Sequence, residues 1–141
     1  MKTPDEYAAS GTEHAQQVAL FMWAAQYDDL AVMHAIPNGG LRDPITAARL
    51  KAEGTKSGVP DVSLPIPVNQ YHGLYIEMKR PKSARGRKGK GNEKQDRWRD
   101  MLTANGYCVV RRFSFSEARD AIIAYMQGKW LTYDISAPIQ S

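Results

Sequence analysis

Residues 74–80, Leu-Tyr-Ile-Glu-Met-Lys-Arg, limit what this chain can fold into more than any other stretch. Side chains of a strand alternate between its two faces. Ile76 and Met78 then point to the core, while Glu77 and Lys79 share the opposite face. Upstream, Asp61 to Val68 alternates as well, with Val62, Leu64 and Ile66 apolar. Pro65 and Pro67 mark that segment as an edge strand or one that ends early. If the two strands pair, Asp61 meets Glu77 at the end of the sheet. Two carboxylates there form a hard oxygen site suited to Mg²⁺ or Mn²⁺. Lys79 would sit beside it, able to neutralise phosphate charge or position a water.

A plainer account exists for each piece. Pro-Asp is a common turn former. Glu-x-Lys on a strand is often a solvated face with a weak ion pair. Taken alone, P-D…E-x-K is a weak motif. Three features strengthen it: the short separation that a hairpin demands, the apolar alternation around Glu77 and Lys79, and the basic run that follows at once.

That run carries the charge of the protein. The 141 residues hold 19 Lys and Arg against 15 Asp and Glu. Eight of the basic residues lie between Lys79 and Lys94, and the remainder is net negative. Such a patch is a footprint for a polyanion, and nucleic acid is favoured over membrane because no amphipathic apolar face accompanies it. Candidate phosphate contacts are Lys56, Arg80, Lys82, Arg85, Arg87, Lys88, Lys90 and Lys94, with Arg42 flanking. Pro81 to Gly91 lacks periodicity and reads as a flexible basic loop, about 80–91.

The length suits one domain over 1–141, with its core over about 12–128 and a tail over 130–141. The single cysteine, Cys108, lies in an apolar run and excludes an internal disulfide or a Cys-rich zinc site. His14, His34 and His72 have no metal-ligand spacing; His72, in the hairpin turn, is the one placed near the site. No signal peptide opens the chain and no apolar run approaches a membrane span. A soluble cytoplasmic protein is expected.

In chain order the expectation is α, β, α, β, β, α, β, α. Met1 to Ser10 reads as a polar leader. Thr12 caps a helix running to about Tyr27 or Leu30, with Glu13 in its first turn and a stripe of Val18, Met22 and Ala25, widened by Phe21. Ala31 to Ile36 is a strand and Pro37 to Gly40 a turn. Asp43 caps a helix that Gly54 ends. Asn92 caps a helix to Asn105 with Trp98, Met101 and Leu102 on its apolar face. Tyr107 to Phe113 is a strand, and Ser114 or Ser116 caps the last helix, which ends at Met126. Residues 130–141 are an added strand or a partner contact. The fold class is α/β, a mixed sheet flanked by helices.

Four runs together resemble one family. G-V-P-D (58–61), I-E-M-K (76–79), Gln95 with Trp98, and G-Y-C-V-V-R (106–111) are similar, in order and spacing, to VRR-NUC proteins. These are the virus-type replication-repair branch of the PD-(D/E)xK nucleases. The P-N-G-G turn (37–40) and Glu13 belong to the same likeness, which covers about Glu13 to Met126. It implies a restriction-endonuclease-like core and Mg²⁺- or Mn²⁺-dependent cleavage of phosphodiester bonds in DNA, with no organic cofactor. By position, it implies that Asp61, Glu77 and the Met78 carbonyl bind metal. It makes Lys79 the catalytic lysine, with Gln95 supporting the site and Glu13 completing it. Small stand-alone members resemble phage and bacterial proteins that act as homodimers on four-way (Holliday) junctions, so the expected setting is a bacterial cell or a phage-infected host. Other members act on flaps. The rivals are a flap or nicking nuclease, a non-catalytic DNA-binding module, and a dimerisation domain with a surface acidic pair.

Overall fold

The computed structural model of the chain describes residues 1–37, 43–81 and 92–134. Among the described residues, four strands form one mixed sheet in the order β1-β2-β3-β4. These are β1 (His34–Ala35), β2 (Val62–Leu64), β3 (Leu74–Met78) and β4 (Cys108–Arg112). The β1–β2 and β2–β3 pairs are antiparallel, and β3–β4 is parallel. The helices are α1 (Pro4–Ala8), α2 (Glu13–Ala24), α3 (Pro44–Ala52), α4 (Glu93–Ala104) and α5 (Phe115–Met126). Helices flank the sheet, as the alternation of strand and helix signals implies.

Leu74, Ile76 and Met78 are fully buried, and with Val62, Leu64, Cys108 and Val110 they meet Ala19, Leu20, Ala118 and Ile122 of α2 and α5. Burying each large apolar side chain contributes about 1.5–3 kcal/mol. The opposite face of β3 carries Glu77 and looks toward α4. Strand β2 stops at Leu64, where Pro65 cannot donate to the ladder.

Several boundaries differ from those read in the sequence. Residues 1–10 are not merely a leader: Thr3 and Glu6 form a capping box and Pro4 opens α1. Helix α2 ends at Ala24, and a separate 3-10 turn spans Asp28–Leu30. Its buried face is Ala15, Gln16, Ala19, Leu20 and Ala24, while Ala25 is exposed and Val18 and Met22 are only half-buried. Gln16 can lie inside because both ends of its amide are used. Nε2 donates to the Ala8 carbonyl at 2.8 Å, and Oε1 accepts the Phe115 N–H at 2.8 Å. Helix α3 buries no residue, and Ile45 is 75% exposed. Helix α4 also has no fully buried residue; Trp98 and Leu102 are half-buried and Met101 is exposed. Strand β1 has only two residues. The P-N-G-G turn beyond Pro37, Arg42, residues 82–91 and residues 135–141 lie outside the described residues. No helix among the described residues is long and apolar enough to cross a membrane.

Candidate active site

The β2–β3 register is Val62 opposite Ile76, which sets Asp61 across from Glu77. Asp61 Oδ2 accepts the Met78 N–H at 2.7 Å, and the Asp61 carbonyl accepts the Ile36 N–H at 2.7 Å. The Asp61 backbone is thereby tied to the residue after β1, and its carboxylate to β3. Gly58, which opens the G-V-P-D run, has φ +92°, and a Cβ there would stand 2.8 Å from the Lys94 backbone. Only glycine lets this loop press against the first turn of α4.

Glu77 and Lys79 are 3% and 6% exposed. Buried charges are costly unless paired and hydrogen-bonded. Lys79 Nζ donates to Gln95 Oε1 at 2.9 Å and lies 3.8 Å from Glu77 Oε2. Gln95 Nε2 donates to that same Glu77 oxygen at 3.2 Å. Gln95 is in turn held by the cap of α4. Its Oε1 accepts the Asn92 N–H at 3.2 Å, and its own N–H donates to Asn92 Oδ1 at 2.9 Å. A capping box here does double service, starting a helix and aiming an amide at two charged groups.

Burial, then the charge of Asp61 and a hydrogen bond to it, push the Glu77 carboxyl up to about 9, and the Lys79 ammonium only partly offsets this. The Glu13 carboxyl is raised too, by desolvation and then by Asp61, against Lys79 and Arg80. Glu13, at the first position of α2, therefore faces the same carboxylates from the rim. Burial and the crowding of Asp61 against it leave Glu77 with a proton, and a hard divalent ion in place of that proton fits such a donor set. Asp61, Glu77 and the Met78 carbonyl could hold it. Among the described residues no three Asp, Glu, His or Cys side chains form a ready cage. The rest of the shell would fall to water and substrate oxygens, as is usual for Mg²⁺.

The raised Glu77 carboxyl has a consequence for metal-free stability. Unfolded, the group titrates near its ordinary 4.5; folded, it keeps its proton to about 9. Between those values the folded chain binds the extra proton, so stability falls as pH rises from about 4.5 to about 9. Thermal unfolding in EDTA across this window should show a decline that Glu77→Gln removes. Equal slopes for the two proteins would contradict the protonated state.

Of the proposed phosphate contacts, Lys56, Arg80 and Lys94 are exposed; Lys94 Nζ lies 3.2 Å from Ser57 Oγ. Lys82, Arg85, Arg87, Lys88 and Lys90 lie outside the described residues. His72 is not near the site: it precedes β3, its N–H donates to the Gly106 carbonyl at 2.9 Å, and Glu77 is at the other end of the strand. Cys108 is buried, which pushes its thiol up to about 11. Three residues beside the site were assigned no part in it from the sequence. Asn92 orients Gln95, Arg111 pairs with Glu77 in the parallel register, and Tyr133 lies against Arg111.

The VRR-NUC domain family model matches residues 5–111. The chain belongs to the VRR-NUC family. A solved structure described as a VRR_NUC domain protein is 26% identical to it, with a TM-score of 0.67, covering 83% of this chain and 89% of that one. No curated protein matches. The mixed sheet flanked by helices is thus the VRR-NUC nuclease fold, and membership implies a nuclease-type function.

Proposed function

We propose that this VRR-NUC protein is a divalent-metal-dependent DNA endonuclease, acting as a homodimer that resolves four-way junctions. The observation that carries the nuclease reading is the join of Asp61, Glu77, Lys79 and Gln95 at one end of the sheet. Asp61, Glu77 and the Met78 carbonyl would bind Mg²⁺ or Mn²⁺. Bound there, the ion would polarise the scissile phosphate and lower the pKa of an attacking water. Lys79 supplies a fixed cation where charge grows on the phosphoryl oxygens. Gln95 keeps that ammonium and Glu77 in one geometry. Glu13 adds a carboxylate at the rim, suited to a metal-bound or free water. Lys56, Arg80 and Lys94, with the basic run 82–91, would take the flanking phosphates.

The junction reading carries over what is implied by the likeness to VRR-NUC proteins that act as homodimers on four-way junctions. A two-fold dimer would bring two equal sites to opposing strands of a branched substrate. The test compares a labelled four-way junction with a 5′ flap, a splayed arm and linear duplex, beside sedimentation of the free protein. Symmetric cuts on the junction by a species of twice the chain mass are expected. Cutting of flaps alone, or a monomer at working concentration, would remove the resolvase while keeping the nuclease.

The basic run makes a separate prediction. Each phosphate contact on duplex DNA contributes about −0.9 to the slope of log K against log salt. Replacing Arg85, Arg87, Lys88 and Lys90 by Gln should flatten that slope by about 3–4. An unchanged slope would mean that these four residues do not touch DNA.

A further inference from the structure

The family match ends at Arg111, yet the chain goes on to bring Tyr133 within reach of the Glu77 charge. After α5 it returns alongside β4. The Arg111 N–H donates to the Tyr133 carbonyl at 2.7 Å, Arg111 and Asp134 form a parallel bridge, and Arg111 Nη2 meets Asp134 Oδ2 at 2.6 Å. Arg112, only 1% exposed, anchors the same segment. Its Nη1 donates to the Tyr133 carbonyl at 2.9 Å and its Nη2 to the Thr132 carbonyl at 3.0 Å.

This return places the Tyr133 ring against two guanidinium groups. Arg99 stands 4.6 Å from the ring centre and Arg111 5.2 Å. Such contacts are favourable, more so when partly desolvated. Arg99 is four residues beyond Gln95, so both lie on one face of α4. Arg111 is the register partner of Glu77. A closed circuit results: Glu77 to Gln95, along α4 to Arg99, through Tyr133 to Arg111, and across the sheet to Glu77. Helix α4 has no fully buried residue, so its seat depends on such lateral contacts more than on a deep apolar face.

We infer that Tyr133 is a positioning residue of the nuclease centre: packed against both Arg99 and Arg111, it holds α4 where Gln95 can join Glu77 to Lys79. This rests on the nuclease reading above and deepens it. The tyrosine feels the charge of Glu77, but in this account it acts through Gln95. A ring that merely sealed the edge of β4 would alter stability without coupling to Gln95.

The test uses the full chain with Tyr133→Ala, Tyr133→Phe, Gln95→Ala and the Tyr133→Ala/Gln95→Ala pair. Arg99→Ala removes the same stack from the helix side, should Tyr133→Ala fold poorly. Single-turnover cleavage, DNA affinity and amide hydrogen exchange are read for each. Tyr133→Ala should slow cleavage about 10- to 100-fold, the scale of an ångström-level misplacement, with DNA affinity within about twofold. Tyr133→Phe keeps the ring and should retain the rate. The double variant should be no slower than the slower single, because both changes break one path. Amides of α4 should exchange faster in Tyr133→Ala, with those of α2 and α5 unchanged. Multiplying rate losses in the double variant, or unchanged exchange in α4, would overturn the inference. If the wild-type protein cuts no DNA, the nuclease reading fails separately, and the exchange of α4 alone decides whether Tyr133 positions it.

Discussion

Glu77→Gln is expected to slow cleavage by about 10³-fold or more while leaving DNA affinity within about twofold. A bound divalent ion supplies several kcal/mol of charge stabilisation, and each 1.36 kcal/mol is tenfold in rate. Glutamine is close in shape to the protonated acid, the form Glu77 holds below about 9 without metal. The substitution should therefore spare the metal-free fold at neutral pH and strike only the ion. Metal must displace the proton, so apparent Mg²⁺ affinity of the wild type should rise with pH toward about 9. Asp61→Asn should act similarly, since an amide oxygen can still accept the Met78 N–H. Single-turnover cleavage and fluorescence anisotropy read the two effects apart. Parallel loss of binding and cleavage would point to another site.

Lys79→Ala should cost about 10²–10³ in the cleavage step, the scale for removing one preorganised charge-stabilising donor. The lysine is 6% exposed, and its Nζ lies 2.9 Å from Gln95 Oε1. Its loss leaves no orphaned acceptor, because the Asn92 N–H still donates to that oxygen at 3.2 Å. Mn²⁺ binding, titrated by calorimetry, should persist or tighten, since a neighbouring cation has gone. A variant that bound no metal would place Lys79 in the architecture of the pocket. One that cut at the wild-type rate would remove it from the reacting centre.

The meeting of Asp61, Glu77 and Lys79 was legible because strands repeat every two residues. Ile76 and Met78 facing the core force Glu77 and Lys79 onto the other side. The hairpin then sets Asp61 opposite Glu77. Gln95 reaches both through a cap that Asn92 announces in the sequence. The start of α1 was also written there, as Thr3, Pro4 and Glu6, but a five-residue helix without a buried side chain leaves no apolar stripe to mark it. Other features depend on tertiary partners. Gln16 faces the core only because Ala8 and Phe115 satisfy its amide. Trp98, Met101 and Leu102 suggest a deeper apolar face than α4 has. Residues 132–134 return beside β4 because Arg112 donates to the Thr132 and Tyr133 carbonyls and Arg111 to the Asp134 carboxylate, partners that no local pattern reveals.

The most direct measurement is cleavage of a labelled four-way junction by the wild-type protein in Mg²⁺, in Mn²⁺ and in EDTA, with Glu77→Gln alongside. Nicks that need the metal and vanish in the variant are the predicted result. Cutting that survives EDTA, or an active Glu77→Gln protein, would contradict a metal centre on Asp61 and Glu77.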